Sequence, residues 1–139
     1  MAEKMSPADQ LSFSTVRIAC KTQSGGDSTG TGFFFIFPLN GNTNIPVIIT
    51  NRHVIKNATE GTFQLTEANN NGTPNIGTFT TVQLDKFEGR WISHPNQDVD
   101  LCAMPIAPLL HEAKNKGKIF FLISFNLTHR TFLYPSLLI

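Results

Sequence analysis

Gly32-Phe33-Phe34-Phe35-Ile36-Phe37, the turn Asn40-Gly41-Asn42-Thr43-Asn44 and Ile45-Pro46-Val47-Ile48-Ile49-Thr50-Asn51 together decide the fold. The first run is too short for a helix and too aromatic for a loop, which predicts a strand covered on both faces. Asn-Gly is a strong hairpin signal, so residues 45–51 are expected to return antiparallel beside 32–37. The returning strand hands over to Arg52-His53-Val54-Ile55. A turn that dips back into the core at Val54 and Ile55 would hold the His53 imidazole rigidly at a rim.

Strand signals continue outward from this hairpin. Alternation around Val16, Ile18 and Cys20 predicts a half-buried strand over 13–22, and the glycine-rich run 24–30 a flexible turn. Short strands are predicted over 62–65, 78–84, 90–94 and 101–106, with a polar loop over 69–77. Residues 109–116 carry Leu, Glu, Ala and Lys at helical density, and Gly117 is the expected stop. Many short strands with Gly, Asn and Pro turns argue an all-β fold, an antiparallel sandwich or barrel. Residues 119–125 fit one more strand. Beyond Asn126 neither periodicity nor turn logic continues.

A chain of 139 residues with 40% apolar and 15% charged residues is of single-domain size and can bury a core. The net charge of +1, from scattered basic residues, leaves no footprint for nucleic acid or an anionic membrane. The apolar tail 119–139 is interrupted by Asn126, His129, Arg130 and Pro135. A charge near the middle of a span costs roughly 2.5–3.5 kcal/mol, so no membrane crossing is expected. Residues 1–10 lack an apolar run of signal-peptide length and are expected to be an extension, with the protein in the cytoplasm. Cys20 and Cys102 lie in apolar stretches and are expected as small buried hydrophobes rather than a disulfide framework.

The chemistry-bearing residues are His53 and Asp100. Imidazole suits a general base because its unperturbed pKa of about 6.5 leaves it neutral yet basic near pH 7. Two aspartates compete to orient it, in Asp98-Val99-Asp100-Leu101-Cys102-Ala103. Either can be a solvated turn residue, a reading that suits Asp98 better than Asp100, which opens an apolar strand. Gly30-Thr31-Gly32-Phe33, followed by Ile49-Thr50-Asn51-Arg52-His53-Val54, resembles the start of trypsin-like serine peptidases, particularly their bacterial and HtrA-like branch. His94-Pro95-Asn96 and Asp100-Leu101-Cys102-Ala103-Met104 also resemble the family, with Cys102 in place of a more usual alanine.

The resemblance covers residues 13–126 and implies the first of the family's two antiparallel β-barrels, over 11–126. It implies that His53 is the general base and acid and that a buried Asp100 orients it. It also implies a peptide or protein substrate, and a second barrel carrying the nucleophilic serine and the oxyanion-hole amides. No Gly-x-Ser-Gly follows Asp100, where only Gly117, Ser124 and Ser136 occur. Residues 127–139 are therefore expected to be foreign to the fold, through truncation or a shifted frame, and the chain alone inactive. Gly26-Asp27-Ser28 mimics part of the serine motif, but it precedes His53 and Thr29 stands where glycine is needed. His111-Glu112-Ala113-Lys114-Asn115 begins like a zinc-peptidase helix but lacks the second histidine, and the glycines near residue 30 lack a phosphate-cradling Gly-Lys-Ser/Thr. No metal or other cofactor is expected. Two alternatives stay open: a non-catalytic binding or structural module, and a complete small peptidase using Ser124 or Ser136.

Overall fold

The computed structural model describes residues 5–38 and 43–126 and, for the backbone alone, 131–133. The fold is mostly antiparallel β-sheet. Strand β1 (Thr15–Thr22), β2 (Asp27–Pro38) and β3 (Asn44–Thr50) form a meander, followed by the single helical turn α2 (Arg52–Ile55) after the opening helix α1 (Pro7–Ser14). Then come β4 (Ala58–Ala68), β5 (Pro74–Asp85), a 3-10 turn at Glu88–Arg90, β6 (Ile92–Ser93), β7 (Cys102–Pro105), α3 (Ala107–Asn115), β8 (Ile123–Phe125) and β9 (Thr131–Leu133). The hydrogen-bonded order is β5-β4-β1-β2-β3-β7-β6, with β8 joined to β2 and β9 to β8.

The two strands of the decisive hairpin pair as expected, with Phe33 opposite Ile49, Phe35 opposite Val47 and Phe37 opposite Ile45, while the expected turn at Asn40, Gly41 and Asn42 lies outside the described residues. Its alternate residues, Phe34, Ile36 and Ile48, are buried with Val16, Ile18, Phe63, Leu65 and Met104 in one core. Burying each such side chain contributes about 1.5–3 kcal/mol, which holds the curled sheet around its filling. The outer face of the same hairpin is only partly covered, and Phe37 remains 39% exposed. Expectation and structure also agree on a short helix in the 109–116 region. There α3 spans Ala107–Asn115, and Gly117 adopts a left-handed φ of 80°, which glycine accepts without a Cβ penalty.

Three expectations need correction. Residues 13 and 14 belong to α1, not to the first strand, because Ser6 accepts a hydrogen bond from the Asp9 amide at 3.1 Å and Pro7 presets the first helical φ. The expected N-terminal extension is therefore partly a capped helix, whose Phe13 ring meets Phe121 edge-on at 5.1 Å. The strand expected over 90–94 is reduced to Ile92–Ser93, and the one over 119–125 to Ile123–Phe125.

The third correction concerns closure. The sheet does not close into a barrel: among the described residues β5 pairs only with β4, and β6 only with β7. Between β5 and β7 the chain is spent on a 3-10 turn, two strand residues and the turns around Pro95, leaving too little extended backbone for a bridging strand. The expected tail 127–139 lies largely outside the described residues, although the backbone of Thr131–Leu133 pairs antiparallel with β8. Among the described residues no helix is long and apolar enough to cross a membrane.

Candidate active site

The site grows from the end of β3. Ile48 and Thr50 point inward, and Thr50 Oγ1 donates to the Thr31 carbonyl at 3.0 Å, tying the strand end to β2. The chain then makes one helical turn whose Val54 and Ile55 are buried. That turn fits only because Gly30 and Gly32 leave room. A Cβ built on Gly30 would stand 2.4 Å from Val54 Cγ2, and one on Gly32 2.8 Å from Ile48 Cγ2. The Gly-x-Gly spacing thus has a packing cause: alternate residues of β2 vacate the core face where the histidine-bearing turn sits.

His53 projects outward from this turn, its side chain 70% exposed, and meets Asp100 just before β7. Asp100 Oδ2 lies 2.5 Å from His53 Nδ1, and Asp100 Oδ1 accepts from the His53 backbone N–H at 3.1 Å. One carboxylate therefore fixes both the ring and the backbone that carries it. An ionised carboxylate only accepts hydrogen bonds, so Nδ1 carries a proton, and in the neutral ring the Nε2 lone pair is left to act as a base. The Asp100 carboxyl is held below its usual value, chiefly by the hydrogen bond from the His53 side chain. Partial burial opposes this, while the His53 amide and the charges of His53 and Arg52 add to it. Asp100 was expected to be buried; its side chain is 45% exposed.

The residues around the dyad form a clamp that the sequence reading did not single out. The Asn51 side chain donates to the Asp100 carbonyl at 3.0 Å, and the Arg52 amide donates to the same carbonyl at 3.2 Å. The Arg52 guanidinium reaches the Gln97 carbonyl at 2.6 Å. On the other side, the Asn96 amide donates to His94 Nδ1 and the Asp98 amide to Asn96 Oδ1, folding the loop on itself. The only sequence signal for this clamp was adjacency: Asn51 and Arg52 immediately precede His53.

The remaining candidates fall away from the dyad. Asp98 is exposed in its turn, as its context suggested. Ser124 is fully buried in β8, and its hydroxyl has no hydrogen-bond partner among the described residues, so it is not presented to His53. Ser136 lies outside the described residues. Ser28 sits in β2 opposite Cys20, part of a hairpin rather than a nucleophile motif. Cys20 and Cys102 are free and buried, and burial followed by the Asp100 charge pushes the Cys102 thiol up to about 11, so it stays protonated at neutral pH. Glu112 pairs with Lys116 along α3 at 3.3 Å. Among the described residues no three His, Cys, Asp or Glu side chains converge.

Beside the dyad runs an apolar groove of about 390 Å³ across β3, β7 and β6, lined by Ile45, Val47, Ile49, Ile92, Leu101 and Ala103 among others. Ile92 is 66% exposed and Leu101 37%. The chain matches none of the protein-family models, curated proteins or solved structures with which it was compared.

Proposed function

We propose that this chain is the histidine–aspartate half of a trypsin-like serine peptidase, its open sheet corresponding to the family's first barrel. The single observation that carries the reading is the double acceptance by Asp100 from Nδ1 and the backbone N–H of His53. That arrangement presets the tautomer and ring orientation needed to take a proton from a hydroxyl and then protonate a leaving amine. His53 is the base and acid, Asp100 the orienting carboxylate that stabilises the imidazolium, and the nucleophilic serine comes from polypeptide outside these 139 residues. The substrate is a peptide or protein, and the work is done in the cytoplasm.

The apolar groove supports the same reading, because a second β-unit delivering the serine needs an apolar surface beside the dyad on which to dock. The groove equally suits a binding module without catalysis, and the two readings part on one experiment. A fluorophosphonate probe is offered to the 139-residue chain and to the longest product its gene encodes. The peptidase reading predicts no labelling of the chain alone, and labelling of a serine beyond residue 139 that disappears in His53→Ala and falls steeply in Asp100→Asn. Losing one member of such a relay costs on the order of 10⁴–10⁶ in rate. No Gly-x-Ser-Gly codons downstream, or labelling indifferent to His53, leaves the binding module standing.

A further inference from the structure

Among the described residues the sheet has two unpaired ends, and they are built differently. The β6 end is two residues long; the His94 amide still donates to the Leu101 carbonyl at 2.9 Å, but Pro95 has no N–H with which to extend the pairing. The β5 end is 12 residues long, and between Pro74 and Leu84 it carries no charge. Exposed edges are normally blunted by shortness, by lysine or by proline, because their unpaired N–H and C=O groups otherwise recruit another strand. From Phe79 to Asp85 this edge is in regular register with β4, rich in Thr, Val and Phe, and β4 is its only pairing partner among the described residues. Thr80, Val82 and Leu84 face inward and are half-buried, with Val82 and Leu84 against the core. Phe79, Thr81 and Gln83 face outward, and Phe79 is 52% exposed.

We propose that the β5 edge is a self-association surface, pairing antiparallel with β5 of a second copy across a two-fold axis at Thr81. The register follows from the pleat. A two-fold axis normal to the sheet keeps both cores on one side, so inward residues, which are even-numbered here, must oppose inward residues. Centring on Thr81 satisfies this rule, setting Thr78 against Leu84, Thr80 against Val82 and Phe79 against Gln83. Centring on Val82 would place Phe79 against the Asp85 carboxylate. Centring on Thr80 would draw in Gly77, whose φ of 87° breaks the strand's regularity. Within β5 the Thr81 register sets no like charges opposite each other, and the Lys118 ammonium that donates to Thr80 Oγ1 at 3.2 Å is paired with Glu67 at 3.6 Å, while the half-buried Val82 and Leu84 gain a covered flank. A contact made by one strand edge is smaller than a standard interface, so the dimer is of the weak class, with a Kd on the order of 10–100 micromolar.

Sedimentation of the intact chain across the micromolar range tests this. The wild type is expected to dimerise with concentration. Thr81→Lys, which sets two ammonium groups beside each other on the axis, is expected to weaken dimerisation about tenfold or more while circular dichroism stays unchanged. Under mild oxidation Thr81→Cys is expected to cross-link to its own copy, whereas Gln83→Cys, which faces position 79 of the partner, is not. A wild type that stays monomeric at high micromolar concentration overturns the proposal. So does a dimer indifferent to Thr81→Lys, which would place the contact elsewhere, as on the groove beside the dyad. Cross-linking through position 83 in preference to 81 overturns it as well.

Discussion

The corner where β3, α2 and β7 meet and the wing made by β4 and β5 are built on opposite principles. At the corner, five hydrogen bonds join Asn51, Arg52 and His53 to Gln97 and Asp100, across chain separations of 45 to 49 residues for the four that involve side chains. In the wing, residues pair with neighbours one hairpin away, from Thr66–Phe79 out to Glu60–Asp85. A corner assembled from distant residues exists only when the whole core is in place, and it positions side chains tightly. The wing's hairpin is made from contacts close in sequence and, among the described residues, leaves one edge unpaired. The proposed chemistry draws on the first kind of region and the proposed association on the second.

The largest expected effect breaks the corner from beneath. Ile48→Ala, at a fully buried position under the dyad, is expected to cost about 2–5 kcal/mol, whereas Val82→Ala on the wing costs about 1 kcal/mol. Urea denaturation of the two variants measures the difference, and equal losses would erase the contrast. Gly30→Ala comes next. Its methyl meets Val54 at 2.4 Å, so a loss of about 1–3 kcal/mol is expected together with shifted His53 resonances. Gly89→Ala, whose Cβ meets nothing within 4 Å, is the matched control and should do neither.

Arg52→Ala removes the bond to the Gln97 carbonyl and is expected to cost about 1 kcal/mol. Amide exchange should rise in residues 95–99 and stay unchanged in β4 and β5. A uniform rise would mean the clamp is not local. The smallest effect is in pH dependence. The folded Asp100 carboxyl lies below its unfolded value, so its contribution to stability is fully present above the unfolded pKa, near 4, and is lost as pH falls through the folded value. Asp100→Asn removes that dependence, so acidification below about pH 4 should destabilise the wild type more than the variant. Parallel stability curves for the two proteins would contradict the hydrogen-bonded dyad.

Legibility in the sequence followed the same division. The hairpin at 32–51 was readable because aromatic and β-branched runs flank an Asn-Gly turn, and His53 and Asp100 were readable from the strand ends that carry them. The structure brings those two together as the pattern suggested. The helix at Pro7–Ser14 has a start signal in Ser6 and Pro7, but the alternation of Val16, Ile18 and Cys20 just beyond makes Phe13 read as part of the following strand. Barrel closure was misjudged for a deeper reason. Strand periodicity records which face a residue presents, but not whether two strands at opposite ends of the sheet are long enough to meet. The clamp from Asn51 and Arg52 was invisible because nothing in a polar dipeptide says which distant carbonyl it will find.

The most direct test of the account is the protonation site of the His53 ring, read by nitrogen-15 NMR near neutral pH in the wild type and in Asp100→Asn. The structure predicts that in the neutral ring the proton sits on Nδ1, strongly deshielded by Asp100, and the lone pair on Nε2, with this tautomer lost in the variant. A ring protonated on Nε2, or one indifferent to Asp100→Asn, would contradict the pairing from which the functional reading is built.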